Sequence, residues 1–213
     1  MIRIVDYGMA NLRSVQKAFE TVGVPAEISG NPEELRDVDL LVLPGVGAFD
    51  RAVENLREQN LWSVIRDRLE REEPFLGICL GLQLLFEGSE EGSRDGFGFF
   101  EGTCRRFENV QPVPHMGWNQ VRWNNMEDVH TPGPDQPQFY YFVHSYYPDP
   151  NDSTVVAGWT DYGEEFCAAA RSGNVFGVQF HPEKSQYAGL NLLQNILTSL
   201  GFSTGDVSMG ETR

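Results

Sequence analysis

Lysine is almost missing from this 213-residue chain: Lys17 and Lys184 are the only two, so 14 of the 16 basic residues are arginine. Positive charge as a whole is scarce, since those 16 residues face 31 aspartates and glutamates, for a formal charge of -15 and a pI near 4.6. A chain this acidic repels phosphate backbones and anionic lipid, which argues against nucleic-acid and membrane-surface roles. Long apolar runs are also lacking. None approaches the roughly 18 residues of a membrane span, and the longest, Leu40 to Phe49 and Phe75 to Phe86, are broken by Gly, Pro or Gln. Met1 to Asp6 lacks the apolar stretch of a signal peptide and reads as a first buried strand, so a cytoplasmic location is expected. Three cysteines, Cys79, Cys104 and Cys167, are an odd number without a CxxC spacing, which argues against a disulfide framework or a structural zinc. No histidine spacing suggests a metal, and no cofactor is expected.

What is present is a regular alternation. Ile2 to Val5 reads as a strand, and Leu12, Val15, Ala18, Phe19 and Val22 recur at helical spacing. Pro25 to Ile28 is a weaker strand, and Asn31-Pro32-Glu33-Glu34 looks like a helix start with Asn as cap. Leu40 to Leu43 is a continuous apolar strand, Leu56 to Leu69 punctuates one or two helices, and Phe75 to Ile78 is a further buried strand before another helix. This pattern predicts an α/β fold: a mostly parallel central sheet flanked by helices. After about residue 95, strand-like segments dominate (104–107, 120–123, 139–143, 154–160, 165–170 and 175–180), read as an antiparallel extension of the same sheet. A last helix is predicted over Tyr187 to Leu200. Residues 1–202 are expected to form a single domain, 203–213 a frayed tail, and Asn124 to Gln138, which contains His130, a solvated surface loop. The acidic run Glu87 to Glu91 is expected to be solvated too.

Three stretches carry chemistry. Gly77-Ile78-Cys79-Leu80-Gly81-Leu82-Gln83 follows a buried strand, and its glycines permit the tight strand-to-helix turn that exposes a nucleophile. Amides at a helix start favour a thiolate, and the Leu80 N–H could hold an oxyanion. Gln83, one helical turn on, falls on the face of Cys79. An inert buried cysteine in a glycine-containing turn fits the same stretch. His181-Pro182-Glu183 ends another buried strand, with the carboxylate two residues from the imidazole, so Glu183 could orient His181 as the base of a nucleophile–base–orienter set; a capping His-Pro turn is the alternative. The corner Pro44-Gly45-Val46-Gly47 should lie near Cys79, at the strand ends where ligands bind in such sheets.

In combination these stretches resemble the triad glutamine amidotransferases, a class with a flavodoxin-like fold. Tyr7-Gly8 with Asn11-Leu12, Pro44-Gly45-Val46-Gly47, Pro114-His115-Met116-Gly117-Trp118-Asn119, Val143-His144-Ser145-Tyr146 and Phe180 to Ser185 resemble most closely the glutaminase subunits of imidazole glycerol phosphate synthase, which serve histidine biosynthesis. Ala10 departs from the Gly expected there. The resemblance implies that Cys79 attacks the side-chain amide of glutamine and forms a glutamyl thioester, that His181 moves the protons, and that Glu183 holds His181. It further implies that amides of Val46 or Gly47, with Leu80, stabilise the oxyanion, while Gln83 and the Ser145–Tyr146 backbone grip the substrate. The implied partner is a barrel-fold cyclase subunit, bound as a heterodimer, that receives the ammonia. Asn11, Arg13, His115, Trp118 and Lys184 are candidates for the face toward it, although a packed aromatic turn or an ordinary helix start accounts for several of them. His144 either shapes the glutamine pocket or is a satisfied core histidine. An amidotransferase feeding anthranilate or pyridoxal phosphate synthesis, and a catalytically silent binding module, are the competing readings.

Scarce lysine beside abundant Asp and Glu points to a surface adapted to high salt, where screening removes self-repulsion. The melting temperature and activity should then rise with added salt up to molar levels; best behaviour in dilute buffer would contradict this.

Overall fold

A computed structural model describes residues 1–108, 110, 112–124, 129 and 138–205. Ile2–Val5 (β1) leads into the helix Leu12–Thr21 (α1), followed by Ala26–Ser29 (β2), Leu40–Gly45 (β3) and two helices, Phe49–Glu58 (α2) and Leu61–Glu70 (α3). Phe75–Cys79 (β4) then runs into a single helical turn, Leu80–Gln83 (α4). Among the described residues eight further strands follow, Phe86–Ser89 (β5), Phe100–Arg106 (β6), His115–Trp123 (β7), Gln138–His144 (β8), Tyr146–Pro150 (β9), Val156–Asp161 (β10), Glu165–Ser172 (β11) and Val175–Val178 (β12), before the closing helix Gln186–Ser199 (α5).

The period-2 geometry of a strand explains why β3 and β4 are apolar throughout. Leu40 and Val42 of β3, with Leu76 and Ile78 of β4, face the side covered by α1 and α5, while Leu41, Leu43 and Phe75 face α2 and α3. Both faces are therefore dry. The main sheet has the order β2-β1-β3-β4-β12-β11-β10-β7-β8, parallel from β2 to β12 and antiparallel from β12 onward. This is the expected α/β sheet with its antiparallel extension.

Three details differ from the sequence reading. β6, expected in that extension, instead joins β5 and β9 in a separate three-stranded sheet. The helix expected after Cys79 is one turn long, because its apolar run (Leu82, Leu84, Leu85, Phe86) continues into β5; a run that short does not distinguish helix from strand by periodicity. The tail is tied down at its start, where the Gly205 N–H donates to the Val22 carbonyl at 2.9 Å and Gln194 Nε2 donates to the Gly205 carbonyl at 2.8 Å. Residues 206–213, and the loop around His130, lie outside the described residues. Among the described residues, no helix is long and apolar enough to cross a membrane.

Candidate active site

Cys79 ends β4 with φ 56° and ψ -108°, a conformation that L-residues with a Cβ avoid. The glycines on either side explain how the chain tolerates it. A Cβ on Gly77 would lie 2.6 Å from the Gly81 carbonyl oxygen, and one on Gly81 would lie 1.8 Å from that of Leu43, so the turn is pressed against β3 and β4 as only glycine allows. Cys79 is buried, and Gln179 Nε2 donates to its Sγ at 3.7 Å. Because α4 is a single turn, the local amide at Leu80, more than a long helix dipole, favours negative charge here.

His181 follows β12, the strand that pairs with β4, which brings it to the same sheet edge as Cys79. Its Nδ1 lies 2.8 Å from Glu183 Oε1, and both side chains are 3% exposed. Burial works against a charged imidazole at this position. The Cys79 sulfur and the Glu183 carboxylate outweigh it and hold the His181 pKa up, at about 10. Nε2 feels Sγ but makes no aligned hydrogen bond among the described residues. The backbone here is pinned by Ser185, fully buried, whose Oγ donates to the His181 carbonyl at 2.6 Å and accepts from the Tyr141 N–H at 2.9 Å. Such a trio can add a thiol to an amide carbonyl and hand the leaving amine a proton.

A cavity of about 550 Å³ opens over Cys79, lined by Val46, Gly47, Leu80, Gln83, Ser145 and Tyr146, all singled out in the sequence, together with His144. Gln83 Nε2 donates both hydrogens, to the Tyr146 carbonyl at 2.9 Å and to Gln179 Oε1 at 3.1 Å, so a ligand would meet its Oε1. The Val46 N–H, a candidate for the oxyanion, donates instead to the Met9 carbonyl at 2.8 Å and is committed in this conformation. Glu91 corrects the picture of a solvated acidic run: it lines the cavity, and its Oε2 accepts from the Phe49 N–H at the start of α2 at 2.8 Å. Glu87 and Glu90 likewise accept from the backbone, at Gly102 and Arg106. Sequence reasoning does not single out Glu91 or Gln179; a polar residue in the apolar stretch Val175 to Phe180 was the available signal for the latter.

Of the candidate partner-facing residues, Asn11, Arg13, Trp118 and Lys184 are exposed. His115 is not, at 2%. The reason is register: cross-strand pairs of β7 and β8 put Met116, Trp118, Phe139 and Tyr141 on one face, and His115, Asn119, Phe142 and His144 on the other, inward face. Lys184 Nζ sits 5.9 Å above the Tyr141 ring, on the outer face. The Asn11 side chain makes no capping bond to α1, and Arg13 donates to Gln16 Oε1 at 2.7 Å.

The chain belongs to the class-I glutamine amidotransferase family, whose model matches residues 3–200. Within that class, its similarity is to imidazole glycerol phosphate synthase subunit HisH: 49% identity to the protein of Moorella thermoacetica, over 91% of this chain and 92% of the relative, and 50% to that of Rhodopirellula baltica, over 93% and 98%. Relatives this similar and of nearly the same length set it among the HisH subunits. The fold matches a crystal structure of a glutamine amidotransferase (TM-score 0.74, 19% identity, 94% of this chain and 99% of that one) and the PurLQS structure from Thermotoga maritima (TM-score 0.72, 22% identity, 93% and 98%).

The inward pair His115 and His144 generates a pH prediction. Burial holds their pKa values down, to about 4 for His115 and, with His115 as a further cause, to about 3 for His144. The unfolded chain therefore binds more protons below about pH 6.5, so their contribution to stability is complete above that pH and is lost as pH falls toward 4 and 3. His181 has the opposite sign: its contribution is complete below about 6.5 and is lost as pH rises through 10. Urea unfolding at pH 5, still above the carboxylate range, should show a stability lower than at pH 7 by on the order of a few kcal/mol. Equal midpoints would contradict buried neutral imidazoles.

Proposed function

We propose that the chain hydrolyses glutamine to glutamate and ammonia through a thioester on Cys79 and passes the ammonia to a separate barrel-fold cyclase subunit. The observation that carries this is the strained Cys79 in a cavity of about 550 Å³, roomy enough for glutamine, with the His181–Glu183 pair beside it. The sulfur adds to the side-chain carbonyl carbon of glutamine; His181 gives its proton to the departing ammonia; the thioester remains. His181 then takes a proton from water as the hydroxyl adds to the thioester carbon, and the C–S bond breaks to release glutamate. Leu80 supplies an amide to the oxyanion, and Gly47, which lines the same cavity, is the second candidate. The Glu91 carboxylate and Gln83 Oε1 suit the α-ammonium of the substrate, and the Ser145–Tyr146 backbone suits its carboxylate.

The outer face of β7 and β8 is the partner surface in this reading. Met116 (61% exposed), Trp118 and Phe139 lie on it with Tyr141 and Lys184, and Val143 on the same strand face reaches the cavity rim. An apolar patch of this kind, beside a catalytic cavity, fits a protein partner. With the Val46 amide bound to Met9, that N–H is withheld from the oxyanion in this conformation, which supports weak turnover by the lone chain.

Ammonia and glutamate release should be weak for the chain alone and rise when a barrel-fold cyclase and its nucleotide ligand are added. Cys79→Ala should lower the stimulated rate by at least about ten-thousandfold, and Glu91→Gln should raise KM for glutamine by about tenfold or more. Full ligand-independent turnover by the lone chain, or turnover surviving in Cys79→Ala, would contradict the proposal.

A further inference from the structure

His144, in the cavity wall, and His115 behind it take no part in the proton transfers above, yet their contacts allow each ring only one tautomer. His144 Nδ1 lies 2.9 Å from the Tyr146 carbonyl oxygen. A carbonyl can only accept, so Nδ1 carries the hydrogen. The ring is buried and neutral, which leaves Nε2 bare. His115 Nδ1 stands 3.0 Å from that bare nitrogen and must donate to it. His115 is neutral as well, so its own Nε2 accepts, from Asn119 Nδ2 at 3.3 Å. The Asn119 amide is oriented in turn: its Oδ1 accepts from the Gln120 N–H and its Nδ2 donates to the Asp161 carbonyl, both at 2.8 Å. Hydrogen bonds therefore run one way, from Asn119 through His115 and His144 to Tyr146.

The far end of this chain is the substrate wall. The Tyr146 oxygen is held by His144 and by Gln83, and the Ser145 oxygen accepts from the Phe107 N–H at 3.2 Å, which fixes both peptide planes. His115 is clamped in its plane by stacking on Tyr162 at 4.0 Å and on Phe142 at 4.8 Å. Were His144 to carry its hydrogen on Nε2, two acceptors would face each other across 2.9 Å and push the Tyr146 peptide away.

We propose that His115 is a positioning residue for glutamine: its Nδ1–H selects the Nδ1–H tautomer of His144, and His144 thereby holds the Ser145–Tyr146 strip in its binding geometry. This rests on the reading of the cavity as a glutamine site. The role is of the kind an outer partner plays for a ligating histidine, where the hydrogen bond at one nitrogen decides what the other can do.

Long-range 1H–15N spectra of the wild-type chain at pH 7 should show Nδ1 protonated and Nε2 bare in both rings. In the complex with the cyclase subunit, His115→Phe, which keeps the stacking and removes the donor, should raise KM for glutamine by about five- to tenfold with kcat within about twofold. His115→Asn, which returns an N–H close to the Nδ1 position, should bring KM back to within about twofold of wild type. An Nε2–H tautomer at His144 in the wild type overturns the proposal whatever the variants do. Turnover with KM unmoved in His115→Phe overturns it while leaving the glutaminase reading intact, whereas a wild-type complex that turns over no glutamine removes both.

Discussion

The constraint on which the site depends is the backbone of Cys79. Its φ of 56° is unfavourable for a residue with a Cβ, by about 1–3 kcal/mol, and it persists because everything around it is over-determined. β4 lies between β3 and β12 in the main sheet, with all five of its residues buried. The turn that follows is wedged against β3 and β4 through Gly77 and Gly81, with no room for a methyl group at either. The cysteine is thus driven out at the carboxyl edge of the sheet. β12, paired in parallel with β4, delivers His181 to the same edge, and Ser185 ties that segment back to β8. Topology, more than any single contact, brings together residues about a hundred positions apart.

The described histidines divide by environment. His181 has a carboxylate at 2.8 Å on one side and the thiol on the other, so its charged form is favoured despite burial. His115 and His144 have aromatic rings, amides and each other, with the charged His181 a further cause at His144, so burial wins and they are neutral. One imidazole can carry a proton, and the other two serve as directional hydrogen-bonding groups. The same residue type is therefore charged at one point and neutral at another, at the edge of the same sheet.

Much of this was legible in the residues. The parallel half announces itself because β3 and β4 are dry on both faces and their helices keep a 3.6-residue period. The nucleophile turn and His-Pro-Glu are local patterns, and both stand where local geometry demands them. The small sheet was not legible: β5 reads Phe-Glu-Gly-Ser, too short and polar to signal a strand, and it forms because β6, paired on its other side with β9, offers it an edge. The residues leave His115 open between a partner-facing position and a packed aromatic turn, and the structure selects the packed one: the facing of β7 depends on its register with β8, which a single strand does not encode. Glu91 was hidden among neighbours with the same charge. The arginine excess found a use that composition alone did not specify. Arg94 pairs with Glu54 of α2, and Arg105 with Asp149 across the small sheet, exposed contacts that solvent screens and that add little to stability.

In the proposed reaction Cys79 alone among three cysteines is the nucleophile, matched to glutamine. Burial pushes the Cys104 thiol well up and that of Cys167 to about 12, which makes both inert. The most direct measurement is to treat the chain with a glutamine-analogue electrophile and map the adduct by peptide mass spectrometry, with and without competing glutamine. One adduct is expected, on Cys79, suppressed by glutamine. Modification of Cys104 or Cys167, or labelling of Cys79 that glutamine does not suppress, would contradict it.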